Sequence, residues 1–222
     1  MSIPIVTIDG PSGTGKGTVA KKLALDKGWH YLDSGAVYRA FASLVDFTGV
    51  DSNDDEALAQ QLKVFDLEFS FSSEGYYRVF CLGRDITQDI RHEKIGLLAS
   101  ILSSKPMIRK ALLEYQLSFY KAPGLVTDGR DMGTVVFPKA QYKFYLTAGV
   151  KERANRRYKQ LQEQGINGNL RTIEADLEER DRRDSGRSIS PMKPAQDALV
   201  IDTTHLSIDQ VFQLIVDEID SV

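Results

Sequence analysis

Four glycines, one lysine and three hydroxyl residues lie between Ile8 and Val19, in the stretch "IDGPSGTGKGTV". Glycine weakens both strands and helices, so Gly10, Gly13, Gly15 and Gly17 need a reason to sit between an apolar run and a helical one. Glycines let the backbone curl until successive N–H groups converge. At the start of a helix such a curl makes a nest for an anion. Lys16 adds a cation where the β- and γ-phosphates of a nucleotide would lie. The segment Gly10, Pro11, Ser12, Gly13, Thr14, Gly15, Lys16, Gly17 and Thr18 is therefore the expected seat of a nucleoside triphosphate. Lys16 itself is read as a flexible, exposed cation. The fit to G-x-x-x-x-G-K-[ST] is imperfect, because Gly17 stands where the hydroxyl belongs. Thr18 supplies it one residue later, for phosphate or for Mg²⁺.

Three further stretches carry chemistry. In "YLDSGAVYRAF" an apolar run ends at Asp33, Ser34 can cap the helix that follows, and Tyr38 and Arg39 sit one turn in. In "LVTDGRDMGTVVF" another run ends at Asp128, and Arg130, Asp131 and Gly133 follow. A hydrophobic strand ending in aspartate suits a Mg²⁺-linked carboxylate, often acting through water. Either Asp128 or Asp131 can be that group, and turn chemistry accounts for both as well. The third stretch is "EERDRRDSGRS". Between Lys151 and Arg187 lie ten basic residues, eight of them arginine, although the chain has fourteen lysines and fourteen arginines. Ion pairs at i,i+4 explain part of this, as for Glu178 with Arg182 and Glu179 with Arg183. The excess of arginine points to bidentate phosphate contact. Arg180, Asp184 and Arg187 fall on one helical face if the helix lasts that far, and Gly186 marks its end.

The elements that must position these residues follow from apolar runs at Ile3–Ile8, Trp29–Leu32, Gly124–Thr127, Tyr142–Leu146 and Ala198–Ile201. Helical patterns separate them: Thr18–Lys27, Ala36–Phe47, Ile95–Ser103, Met107–Tyr120, Lys151–Gln164, Leu170–Arg183 and Ile208–Ile219. Continuous apolar strands alternating with helices predict an α/β fold, a parallel sheet flanked by helices on both faces. Ligands of such sheets bind beyond the carboxyl ends of the strands, where all four stretches fall. One segment breaks the rhythm. Phe65, Leu67, Phe69 and Phe71 alternate with polar residues, "SSEG" follows, and Tyr76–Leu82 runs to a turn at Gly83. This predicts an inserted antiparallel meander with one wet face, packed on a helix.

The 222 residues can bury a full core as one domain, and a net charge of −3 gives no general affinity for nucleic acid or anionic membrane. Cys81 is the single cysteine, which rules out an internal disulfide and fits a reducing compartment. No apolar run reaches a membrane span, and no signal peptide precedes the first strand, so a cytoplasmic enzyme is expected.

Four stretches in order, "GPSGTGKGT", "DSGAVYR", "DGRDMGTVVFP" and "ERDRRDSGR", resemble the bacterial cytidylate kinases, nucleoside monophosphate kinases that make CDP from CMP and ATP. The resemblance covers nearly the whole chain. It implies a P-loop kinase core with a five-stranded parallel sheet, an inserted antiparallel β lobe and a short helical lid. Residues 1–222 would form one domain, with a monophosphate-binding lobe at roughly 34–100, its meander at 64–87, and the lid at roughly 153–170. Carried over by motif, acceptor-phosphate contacts fall on Ser34, Arg39, Arg130 and Arg187. Cytosine contacts fall on Ser100, Arg109 and Asp131, and ribose contacts on Arg180 and Asp184. Tyr38 joins the acceptor side. Arg153, Arg156 and Arg157 would face phosphate from the lid, so the catalytic set is Lys16, Arg130, Arg153, Arg157 and Arg187. Thr18 and Asp128 are the residues for Mg²⁺. The implied donor is ATP and the acceptors CMP and dCMP, with no nucleic acid, no membrane and a monomer.

A phosphate monoester is already an anionic nucleophile at pH 7, so no general base is needed, and His30, His92 and His205 fall in no motif. The rivals are a kinase for UMP, dTMP or shikimate, a GTPase-type switch, and a nucleotide-gated binding module. The switch needs an N-K-x-D motif, and no asparagine in the chain precedes a lysine.

Overall fold

The computed structural model describes residues 3–71, 77–163 and 165–221. Along the chain come β1 (Ile5–Asp9), α1 (Lys16–Lys27), β2 (His30–Asp33), α2 (Ser34–Thr48), α3 (Asp55–Val64), β3 (Leu67–Phe71), β4 (Tyr77–Cys81) and β5 (Arg84–Asp85). Then follow α4 (Glu93–Leu102), α5 (Pro106–Leu117), β6 (Leu125–Gly129), β7 (Tyr142–Thr147), α6 (Val150–Glu163), α7 (Leu170–Ser185), β8 (Leu199–Asp202) and α8 (Ile208–Asp220). The chain divides into two compact units, one holding Met1–Asp33 and Leu117–Val222, the other Ser34–Gln116.

The first unit is built on a five-stranded, all-parallel sheet in the order β2-β6-β1-β7-β8. Every residue of β1 and of β6 is buried, as strands covered on both faces must be. β8 lies at the edge, where Leu199 and Val200 are exposed. The register pairs Asp9 with Gly129 and Asp33 with Asp128, which brings the functional stretches to one end of the sheet. The helices stop and start on local signals. α1 ends at Gly28 in the left-handed region, φ 64°. Asn169 caps α7, and Ser207 with Gln210 forms a capping box on α8. Among the described residues, no helix is long and apolar enough to cross a membrane.

The second unit holds the antiparallel sheet β3-β4-β5. Its register pairs Leu67 with Cys81 and Phe69 with Val79. The meander thus has a third, two-residue strand that the alternation did not reveal. The first strand begins at Leu67, because Phe65 instead ends α3, a helix absent from the apolar pattern. Asp54 caps that helix by accepting from the Ala57 N–H, and one residue, Leu58, is buried on it, too little for a visible stripe. The Phe65 ring meets Phe41 of α2 edge-on at 5.5 Å and Tyr115 of α5 at 5.9 Å. The Tyr115 hydroxyl donates to the Leu67 carbonyl, so the meander is packed on helices as expected. The "SSEG" turn, Tyr76 and Gln164 lie outside the described residues.

Candidate active site

At the end of β1 the backbone curls through Gly10, Gly13 and Gly15 with φ of 143°, 84° and 87°. A Cβ on Gly10 would stand 2.0 Å from the Leu146 carbonyl oxygen, so only glycine lets the loop pass this close to β7. Side chains hold the outer carbonyls of the loop. Arg153 Nη1 donates to Ser12 O at 3.1 Å, and Thr203 Oγ1 to Thr14 O at 3.1 Å. In a trans peptide the next N–H points the opposite way, so the Gly13 and Gly15 amides turn away from those braces. The start of α1 follows at Lys16. This is the backbone curl that the glycine spacing predicts.

Lys16 is not the exposed cation expected from sequence. It is buried, and its Nζ donates to Pro11 O at 3.0 Å. Burial, then the nearby Arg130, push its pKa well below the ordinary lysine range, while Asp128 pulls the other way. A phosphate beside Lys16 would favour its charged form and oppose both effects.

Asp128 is buried at the end of β6, where it accepts from the Tyr31 hydroxyl at 2.6 Å. A Cβ on Gly17 would lie 3.6 Å from its Oδ2, so the carboxylate faces the start of α1. Burial and the Asp33 carboxylate opposite raise its pKa. Two carboxylates at adjacent strand ends, beside a phosphate nest, fit a divalent cation, whose charge would relieve both effects. Asp131 stands apart from this pair in the turn after β6. Its carbonyl accepts from the Val135 N–H at 2.9 Å and the Val136 N–H at 3.2 Å, closing a π-turn over Met132–Val136. Thr18 is exposed on the first turn of α1.

Beside the nest lies a cluster of arginines. Arg130 Nε donates to Asp184 Oδ2 at 2.8 Å, and Arg187 donates to the other carboxylate oxygen. Burial works against ionising Asp184, but Arg130, Arg187 and Arg180 outweigh it and hold its carboxyl below the usual range. Arg130 Nη1 also donates to Gly10 O at 2.9 Å, which ties the cluster to the nest. α7 runs only to Ser185, so Arg180 and Asp184 share its face, while Arg187 lies beyond the helix end and reaches Asp184 from the segment after Gly186. Arg182 turns to Glu179 rather than to Glu178, and Glu179 also meets Arg183 at 3.4 Å; i,i+3 is as close as i,i+4 on a helix.

The lid arginines differ from one another. Arg153 is buried and committed to protein: besides Ser12, it donates to Ala148 O at 3.0 Å and Asp181 Oδ2 at 2.6 Å. Arg156 pairs with Glu152 at 2.9 Å and donates to Thr203 O at 2.6 Å. Both brace the nest from behind in this structure. Arg157 is half-buried on α6.

In the second unit Ser34 is the first residue of α2 rather than its cap, and its hydroxyl donates to Gln116 Oε1 at 2.7 Å. Tyr38 is buried and Arg39 half-buried one turn on. Arg109 is buried, with its guanidinium 5.5 Å from the Tyr38 ring and Nη1 donating to Ser103 O at 3.2 Å. Ser103 in turn donates to Ser100 O at 2.9 Å. The Ser100 hydroxyl is buried with no hydrogen-bond partner among the described residues. Such a group costs about 1–3 kcal/mol unless a ligand satisfies it.

Asp9 is not among the residues whose chemistry the sequence motifs point to. It is buried, and its carboxylate accepts from the Met132 N–H at 2.9 Å and the Gly133 N–H at 2.8 Å. Burial lifts its pKa to about 7 against the pull of those two bonds. A lone acid at the end of an apolar run was the available signal.

The sequence profile of the cytidylate kinases matches residues 6–221. This chain belongs to the cytidylate kinase family. It is 52% identical to the cytidylate kinase of Coxiella burnetii, over 97% of this chain and 92% of that one. The cytidylate kinase of Nitrosococcus oceani is 51% identical, over 95% and 93%. That of Methylococcus capsulatus is 48% identical, over 99% and 98%. Among solved structures, a shikimate kinase of Acinetobacter baumannii in complex with shikimate covers 99% of this chain and 94% of that one, at 17% identity and a TM-score of 0.46. That likeness is too slight to bear on the acceptor of this family member.

Proposed function

We propose that this chain transfers the γ-phosphoryl group of ATP to CMP, and to dCMP, giving the diphosphate and ADP. The observation that carries the reading is the pairing of two anion sites in one unit. The nest takes a triphosphate, and Arg130 and Arg187 present cations beside it, with Arg130 bonded to the nest at Gly10. One phosphate seat beside another is what phosphoryl transfer needs, since its catalysis is positioning and charge neutralisation.

The nest amides and Lys16 hold the donor phosphates. Lys16 leaves Pro11 O for the β- and γ-oxygens and follows the charge as it moves. Arg130 and Arg187 take the acceptor phosphate, assisted by Ser34 and Arg39, and an oxygen of that phosphate attacks the γ-phosphorus in line with the departing ADP. Arg180 and Asp184 take the ribose. Ser100, Arg109 and Asp131 read the base, with Tyr38 backing Arg109. Thr18 and Asp128 are the residues that would hold Mg²⁺, which when bound neutralises phosphate charge. Arg157 is the lid residue that reaches phosphate, while Arg153 keeps the nest in shape. Closing the segment between α6 and α7 excludes water, which would otherwise compete as acceptor. The enzyme works as a cytoplasmic monomer and needs no nucleic acid.

The test is ADP release with each nucleoside monophosphate in turn. Turnover with CMP well above that with UMP, dTMP and shikimate supports the reading, and no turnover with CMP ends it.

A further inference from the structure

Asp9 and Gly10 form one dipeptide, and both of them reach the loop after β6. The Asp9 carboxylate accepts from the successive N–H groups of Met132 and Gly133, at 2.9 and 2.8 Å. The Gly10 carbonyl accepts from the Arg130 side chain at 2.9 Å. Arg130 and Asp131 are thus pinned on both sides, by β6 before them and by Asp9 after them. The loop lies flush on β1. A Cβ on Gly133 would meet Thr7 Oγ1 at 2.9 Å, and that hydroxyl is itself buried without a hydrogen-bond partner among the described residues. Two adjacent amides need two acceptors on one short side chain, and aspartate supplies both. Asparagine would leave one amide facing an NH₂ group.

We infer that Asp9 is a positioning residue for the acceptor: it fixes the Arg130–Asp131 step against the donor nest and thereby sets both acceptor affinity and the choice of base. The inference rests on the assignment of Arg130 and Asp131 to the acceptor. A displacement of about 1 Å in such a loop costs on the order of 10²-fold in rate. The donor nest keeps its own braces at Ser12 and Thr14, so ATP binding is left largely intact.

The experiment measures kcat and KM for CMP, UMP and ATP, with a melt, in the wild type, Asp9→Asn and Gly133→Ala. The second variant pushes the loop off β1 without changing Asp9, and Thr7→Ala added to it should restore the fit. The expected result in both single variants is a rise in the KM for CMP of at least about tenfold. The ATP KM should stay within about twofold, and the CMP/UMP ratio of kcat/KM should fall. CMP kinetics unchanged within about twofold overturn the proposal. So does an equal loss toward ATP and CMP with a lowered Tm, which is the mark of a purely structural residue. If Asp9→Asn does not fold, Gly133→Ala and its Thr7→Ala rescue decide by the same readings. Failure of the kinase assignment itself would appear in the wild type, as no ADP released with CMP. Hydrogen exchange then decides the positioning role: it should quicken at Met132 and Gly133 in Asp9→Asn and not at Gly13 or Gly15, and unchanged exchange refutes it.

Discussion

The Asp184 carboxylate lies between two arginines, taking Arg130 Nε on one oxygen at 2.8 Å and Arg187 on the other. The side chains of Asp184 and Arg187 are nearly buried, at 3% and 8% exposure, so the bridge is not a surface ion pair. It holds two cations on one carboxylate, at the junction of α7 and the loop after β6. Asp184→Ala removes the carboxylate that both arginines share. We expect a loss of about 3 kcal/mol in stability together with a higher KM for CMP. Because Asp184 is held below the usual carboxylate range, its contribution is present above that range and lost as pH falls through the lowered value. The Tm gap between wild type and Asp184→Asn should therefore narrow in acid. A gap that is constant or widens as pH falls contradicts the bridge.

Lys16 is buried, and its depressed pKa has a stability consequence. A lysine with a lowered folded pKa stabilises only above the ordinary lysine pKa, and that contribution is lost as pH falls through the lowered value. Near pH 7 the charged lysine is a burden on the ligand-free protein. Lys16→Met should melt at or above the wild type at pH 7, with the advantage shrinking toward pH 10, while kcat drops roughly 10²–10³-fold. A variant that melts well below the wild type at pH 7, or turns over normally, would contradict this.

Cytosine offers an N4 donor beside an N3 acceptor, and uracil offers the reverse. Asp131, when ionised, only accepts, and Arg109 only donates. Uracil would leave buried polar groups mispaired, at roughly 1–3 kcal/mol each. CMP should be preferred to UMP by at least about 10²-fold in kcat/KM, and Asp131→Ala should shrink that ratio mainly by losing CMP activity. An unchanged ratio would refute base reading by Asp131. Equal loss toward both acceptors with a raised Mg²⁺ requirement would assign it to the metal instead.

Arg153 and Arg157 share α6, and on the proposed function they have different tasks. Arg153 spends its donors on Ala148, Ser12 and Asp181, so Arg153→Met should raise the KM for ATP and lower Tm. Arg157→Met should lower kcat with a smaller fall in Tm than Arg153→Met, because Arg157 is half-buried where Arg153 is buried. Identical effects of the two substitutions on Tm and on the KM for ATP would refute the division.

The sheet, the glycine-rich turn after β1 and the order of the motifs were legible in the residues alone. Apolar runs of strand length separated by helical patterns admit one kind of sheet, and Gly10, Gly13 and Gly15 sit where only glycine can turn. The face shared by Arg180 and Asp184 was legible too, since helical spacing is a local property, whereas the reach of Arg187 back to Asp184 from beyond the helix end was not. Short elements were not. α3 buries one residue, and β5 is two residues long, so neither leaves a periodic trace. Side-chain partnerships were decided only by the tertiary structure. Nothing near Lys16 in sequence marks it as buried against Pro11 and beside Arg130, which is 114 positions away. The grip of Asp9 on Met132 and Gly133 crosses more than 120 positions. Such pairs form because parallel register carries distant strand ends to the same edge of one sheet, and a sequence pattern records each strand but not its neighbour.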